Sequence, residues 1–84
     1  MEIEYTPRFQ RSFKKLSSEL QLIAWRKIEI FSRAQFHPAL KTHKLTVDEL
    51  WAFSVDYKNR VIFQFYDGRI ILINIGDHSI YRKV

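Results

Sequence analysis

Apolar and polar residues alternate with a period of two through much of residues 50–81, and that alternation predicts three successive strands. Trp51, Phe53 and Val55 alternate with Leu50, Ala52 and Ser54 in the first. Val61, Phe63 and Phe65 alternate with Arg60, Ile62, Gln64 and Tyr66 in the second. Residues 70–75 are almost continuously apolar, the pattern of a central strand covered on both faces. Asp67-Gly68 predicts a tight hairpin between the last two strands, because a type I′ turn needs positive φ at both central residues. Trp51, Phe53, Val61, Phe63, Ile71 and Ile73 are the expected buried residues of this meander. Its polar residues fall at strand ends: Arg60 where one strand begins, Gly76-Asp77-His78 where another stops.

The first half of the chain changes period. Glu2-Ile3-Glu4-Tyr5 reads as a short strand, and Thr6-Pro7 as an N-cap followed by proline at the first helical position. Phe9, Phe13 and Leu16 continue at helical spacing, ringed by Arg8, Arg11, Lys14 and Lys15. Ser18 with Gln21 fits a capping box, which starts a second helix near Glu19. Leu20, Ile23, Ala24, Phe31 and Ala34 share its apolar face, with Ile28 close by, and Pro38 ends it at or before His37. The two helices form a hairpin over one face of the sheet. Residues 37–49 are the least regular stretch. The expected fold is α+β: an N-terminal strand and a helical hairpin packed on a curved, mainly antiparallel sheet, in a single domain spanning residues 1–84.

Composition narrows the partners. The chain has 84 residues, no cysteine, and 14 Lys+Arg against 9 Asp+Glu, a net charge of +5. A basic balance favours nucleic acid or an acidic protein as partner. Disulfides and thiolate metal sites are excluded, in agreement with a cytoplasmic location. No apolar run is long enough to cross a bilayer and none resembles a leader. The two glycines, Gly68 and Gly76, cannot build a phosphate loop. The serines lack the strand-turn-helix setting of an elbow nucleophile.

Among residues able to carry chemistry, His37 sits beside Pro38 at a helix end and reads as structural. His43 and His78 remain open, and no i, i+4 histidine pair supports a metal site. Arg60 is a rigid donor fork suited to a phosphate. Lys41 and Lys44, with Lys14, Lys15 and Arg11 on the first helix, could track a phosphate backbone, although each alone is an ordinary solvated charge. Trp51, Phe53, Phe63 and Phe65 follow the period of buried strands, leaving Tyr57, Tyr66 and Tyr81 as the exposed aromatics.

The runs TPRFQRSFKKL, LKTHKL, LWAFSV, NRVIFQF and ILINIGDHSIY resemble, across nearly the whole chain, the RelE/ParE superfamily of toxins from type II toxin–antitoxin systems. The resemblance implies a small cytoplasmic toxin silenced by a cognate acidic antitoxin in a hetero-oligomer. RelE-like branches cut messenger RNA on the ribosome, without a metal or other cofactor. ParE-like branches instead inhibit DNA gyrase and are the alternative. Carried over by position, Arg60 matches the arginine that RelE-like nucleases set against the scissile phosphate. His78 matches the C-terminal histidine of the YoeB and YafQ branches, His43 a second histidine of the YafQ branch, and Tyr81 lies near the RelE tyrosine. The pattern also departs from the family: RelE's two strand lysines fall on Ala52 and Ser54, YoeB's glutamate has no counterpart, and the YafQ aspartate falls near Asn59.

Overall fold

In the computed structural model, which describes residues 1–83, β1 (Glu2–Tyr5) leads into helices α1 (Pro7–Lys14) and α2 (Ser18–Arg33). A 3-10 turn at Pro38–Leu40 and the short strand β2 (His43–Lys44) come next, followed by β3 (Trp51–Ser54), β4 (Arg60–Tyr66) and β5 (Arg69–Gly76). A second 3-10 segment, His78–Lys83, closes the described chain. The five strands form one sheet in the order β1-β5-β4-β3-β2. Only β1 and β5 run parallel; the other pairings are antiparallel. The α+β architecture expected from the pattern is therefore the one observed.

Local chemistry explains the element boundaries. The Thr6 hydroxyl oxygen accepts from the Phe9 N–H at 3.1 Å and caps α1, while its proton goes to the Ile73 carbonyl at 3.0 Å. One side chain thus starts a helix and fastens it to β5. Ser17, not Ser18, caps α2, accepting from the Leu20 N–H. Gln21 does not complete a box; its amide donates to the Phe13 and Leu16 carbonyls and closes the end of α1. Ala34 becomes the exposed C-cap of α2 rather than part of its apolar face. The Asp67-Gly68 turn has φ of 52° and 73°, as type I′ requires.

The main core lies between the helices and the sheet. Phe31 of α2 is fully buried, with ring centroids 4.4 Å from Phe53 and 4.7 Å from Phe63. Ala24, Ile28, Val61, Ile70 and Leu72 complete it. A smaller cluster of Leu50, Ile62 and Ile80 covers the opposite face, with Ile73 and Tyr81 packed against it.

β5 departs from simple alternation. Ile62 pairs with Asn74 but Phe63 pairs with Leu72, so Ile73 is an extra residue in the strand, a β-bulge. Asn74 Oδ1 accepts from the Ile75 N–H at 2.9 Å and from the Ser12 hydroxyl of α1 at 2.6 Å. Asn74 and Ile75, adjacent in sequence, both turn toward the helices, while Ile73 lies on the other face. The expected burial of Ile71 and Ile73 is corrected accordingly. Both are half-buried, as is Trp51, and Ile70, Leu72 and Ile75 take the core positions.

Candidate functional site

Three chain segments meet where β3 ends, β4 begins and β5 ends. Arg60 is the first residue of β4 and pairs with Ser54 on one side and Gly76 on the other. Alternation with Val61 of the helix-side core points Arg60 away from that core. At the very end of the strand it also borders a cleft shared with Lys27 of α2. Its Nη1 donates to the Asp56 carbonyl at 2.7 Å and the Asn59 carbonyl at 3.1 Å. These bonds fix the guanidinium at the strand end. The 56–59 turn beneath it is itself ordered by the Asp56 carboxylate, which accepts from the backbone N–H groups of Lys58 and Asn59.

Gly76 decides what lies over Arg60. A Cβ at this position would stand 2.7 Å from Ile80 Cγ2. Its absence lets the His78–Lys83 segment fold back against the sheet. Asp77 starts that turn by accepting from the Ser79 N–H at 2.9 Å. The hydroxyl and N–H of Ser79 hold the Asp77 carboxyl below the usual carboxylate range. His78 is exposed, and its ring meets the Tyr81 ring edge-on at 5.9 Å. Burial pushes the Tyr81 phenol up, and the nearby Arg60 charge partly offsets this, so Tyr81 is neutral at pH 7. Arg60, His78 and Tyr81 therefore share one corner of the sheet.

His43 approaches the same face from the far edge. It pairs with Ala52, which pairs with Ile62, two positions along β4 from Arg60. Strand spacing puts the two residues about 12 Å apart at their backbones. The His43 Nδ1 lies 3.0 Å from the Lys41 carbonyl. A carbonyl oxygen only accepts, so Nδ1 carries the proton and Nε2 of the neutral ring offers its lone pair. His37 is structural, since its Nδ1 accepts from the Ala39 N–H as the cap of the first 3-10 turn.

The cationic residues divide among several places. Lys41 and Lys27 line a cleft of about 210 Å³ together with Arg60, Ser54 and Asp56. Lys27 escaped the sequence reading because its position in α2 looks like any helical surface lysine; only the fold brings it to Arg60. Arg11 and Lys15 line a separate cleft beside Ser79. Lys14 lies with Phe13 and Trp25 on an apolar surface, and Lys44 pairs with Glu49 at 3.2 Å. Ala52 and Ser54 are buried and contribute no charge. Among the described residues no helix is long and apolar enough to cross a membrane, and no three His, Cys, Asp or Glu residues group as metal ligands would.

No protein-family model and no curated protein matches the chain in sequence. Solved structures do match. The YoeB/ParE toxin from Agrobacterium tumefaciens superposes with a TM-score of 0.75 at 15% identity, over 93% of this chain and 99% of that one. A YafQ mutant from E. coli gives 0.73 at 14% identity, over 95% and 96%. The YoeB–YefM toxin–antitoxin heterotetramer from Staphylococcus aureus gives 0.72 at 13% identity, over 93% and 97%. The chain has the RelE/YoeB-like toxin fold. Within that fold, Arg60 lies at the end of the sheet where β3, β4 and β5 meet.

Proposed function

We propose that this chain is the toxin of a type II toxin–antitoxin pair and that it cleaves messenger RNA on the ribosome. The observation that carries the reading is the meeting of Arg60, His78 and Tyr81 at one corner of a RelE/YoeB-like fold. In this mechanism His43 Nε2 takes the proton of an RNA 2′-OH. The freed oxygen attacks the adjacent phosphorus, the bond from phosphorus to the 5′-oxygen breaks, and His78 gives that oxygen its proton. Arg60 stabilises the charge that builds on the phosphoryl oxygens, and Tyr81 hydrogen-bonds the same group as a neutral phenol. Each proton-transfer group contributes about 10²–10⁴-fold. An acidic antitoxin suits the net charge of +5, and the S. aureus YoeB–YefM heterotetramer is an assembly of that kind on the same fold.

The test is induction in growing cells with mapping of messenger RNA 5′ ends. The parent chain arrests growth and produces new ends within messages. Arg60→Ala and His78→Ala abolish both effects, while thermal midpoints stay close to the parent because neither side chain belongs to a core cluster. His43→Ala lowers cleavage. Uncut messages with induced DNA repair would instead identify a gyrase inhibitor, and fully toxic alanine variants would sink the nuclease reading.

A further inference from the structure

A polar cleft lies beside the C-terminal turn. It has a volume of about 380 Å³ and is lined by Arg8, Arg11, Ser12 and Lys15 of α1, by Asn74 of β5, and by Ser79 and Ile80. Asn74 is 6% exposed, an unusual place for an amide. Its Oδ1 is identified by accepting from the Ile75 N–H, and the Ser12 hydroxyl holds the same oxygen from the other side. The orientation of Nδ2 is thereby fixed. Among the described residues Nδ2 makes no hydrogen bond, yet no fully buried side-chain nitrogen or oxygen lacks a partner. Nδ2 is therefore not sealed from solvent, and Asn74 lines the cleft together with Arg11 and Lys15.

We infer that this cleft binds a backbone phosphate of RNA, one station removed from the phosphate held at Arg60. The cleft lies beside the bulge at Ile73, where Asn74 meets Ser12 of α1 and Ile75 keeps its core position. The turn that carries His78 over the Arg60 corner supplies Ser79 and Ile80 to the cleft. One strand of nucleic acid crossing the turn can therefore occupy both places. Assigning the phosphate to RNA rests on the nuclease reading; the existence of an anion site does not.

The experiment follows the side-chain amide of Asn74 by ¹H–¹⁵N NMR in the full chain. The probes are a short 2′-O-methyl oligoribonucleotide, which lacks the attacking hydroxyl, inorganic phosphate and poly-glutamate. The oligonucleotide is expected to shift the Asn74 signals, and to do so equally in Arg60→Ala. In the Arg11→Gln/Lys15→Gln variant, whose changed residues are exposed, the shift is lost. The slope of log affinity against log salt then falls by about 0.7 for each phosphate contact removed. An Asn74 response that persists while cells show uncut messages supports the anion site and removes only the nuclease reading. Equal affinity for inorganic phosphate and the oligonucleotide overturns the RNA assignment, as does a response to poly-glutamate alone. Unmoved Asn74 signals with every probe overturn the site.

Discussion

Gly76→Ala isolates the contact that seats the C-terminal turn on the sheet. The added Cβ would lie 2.7 Å from Ile80 Cγ2, at least ~0.8 Å short of ordinary carbon–carbon contact. Ile80 is 8% exposed and packs on Leu50 and Ile62, so it cannot swing away without disturbing that cluster. Overpacking of this kind costs about 1–3 kcal/mol. Alanine recovers about 0.5–1 kcal/mol of backbone entropy in a strand. The net loss lies within about 0–2.5 kcal/mol, and each kcal/mol lowers the midpoint of a domain this size by about 4–8 °C. The turn moves more readily than the sheet, so His78 and Tyr81 shift away from Arg60 and activity falls further than stability. Ile80→Ala alone costs about 2 kcal/mol, the low end for a buried isoleucine because its cluster is small. Combining the two changes removes the clash, so the double variant is less destabilised than the sum by at least ~0.5 kcal/mol. Urea denaturation of the four proteins measures the cycle. Additivity within ~0.3 kcal/mol would refute the argument that Ile80 is what requires glycine at this position.

Other outcomes follow from single interactions. Thr6→Ala loses both the α1 cap and the bond to Ile73 and is expected to cost about 1–2 kcal/mol in urea denaturation; an unchanged midpoint denies the tether any role. Burial pushes the Asp56 carboxyl up, but the N–H groups of Asn59 and Lys58, the Asn59 amide and the Arg60 charge outweigh it and leave the group below its usual 3.8. A lowered pKa means stability that is complete above the ordinary value and is lost as pH falls through the folded one. Asp56→Asn should therefore flatten the decline in stability below about pH 4, and identical acid limbs in the two proteins would remove the carboxylate from the account. The acidic antitoxin proposed above should associate more slowly as salt rises; a stopped-flow rate independent of ionic strength would exclude electrostatic steering.

Much of the architecture is written in local patterns. Asp67-Gly68 set its own backbone, and Thr6-Pro7 started α1, because each signal acts within a few residues. Longer-range features left weaker traces. Residues 70–75 look almost uniformly apolar because both faces of β5 are covered: Ile70, Leu72 and Ile75 face the main core and Ile73 the smaller cluster. The bulge at Ile73, which shifts the phase between them, left no trace a period-two reading could find. Ile62 is fully buried only because Ile80 returns over it, a contact between residues eighteen positions apart with no shared motif. The pairing of β1 beside β5 has no local signature either. At the candidate site Arg60 and His78 stood out because both occupy strand ends. Lys27 and Asn74 were invisible, since a helical lysine and a strand asparagine acquire meaning only from what the fold sets beside them.

β1 emerges from the ribosome before every other strand, yet its neighbour in the sheet is β5, with Glu2 aligned to Arg69. The edge cannot be sealed until most of the chain has been made, and the turn bearing His78 and Tyr81 comes later still. Joining such distant segments is the slow kind of folding step, because a long loop must close before any contact rewards it. A half-made chain therefore has an open sheet and no covering turn at Arg60. The topology acts as a timer: the corner at Arg60 is assembled only after the last strand and its turn have been made.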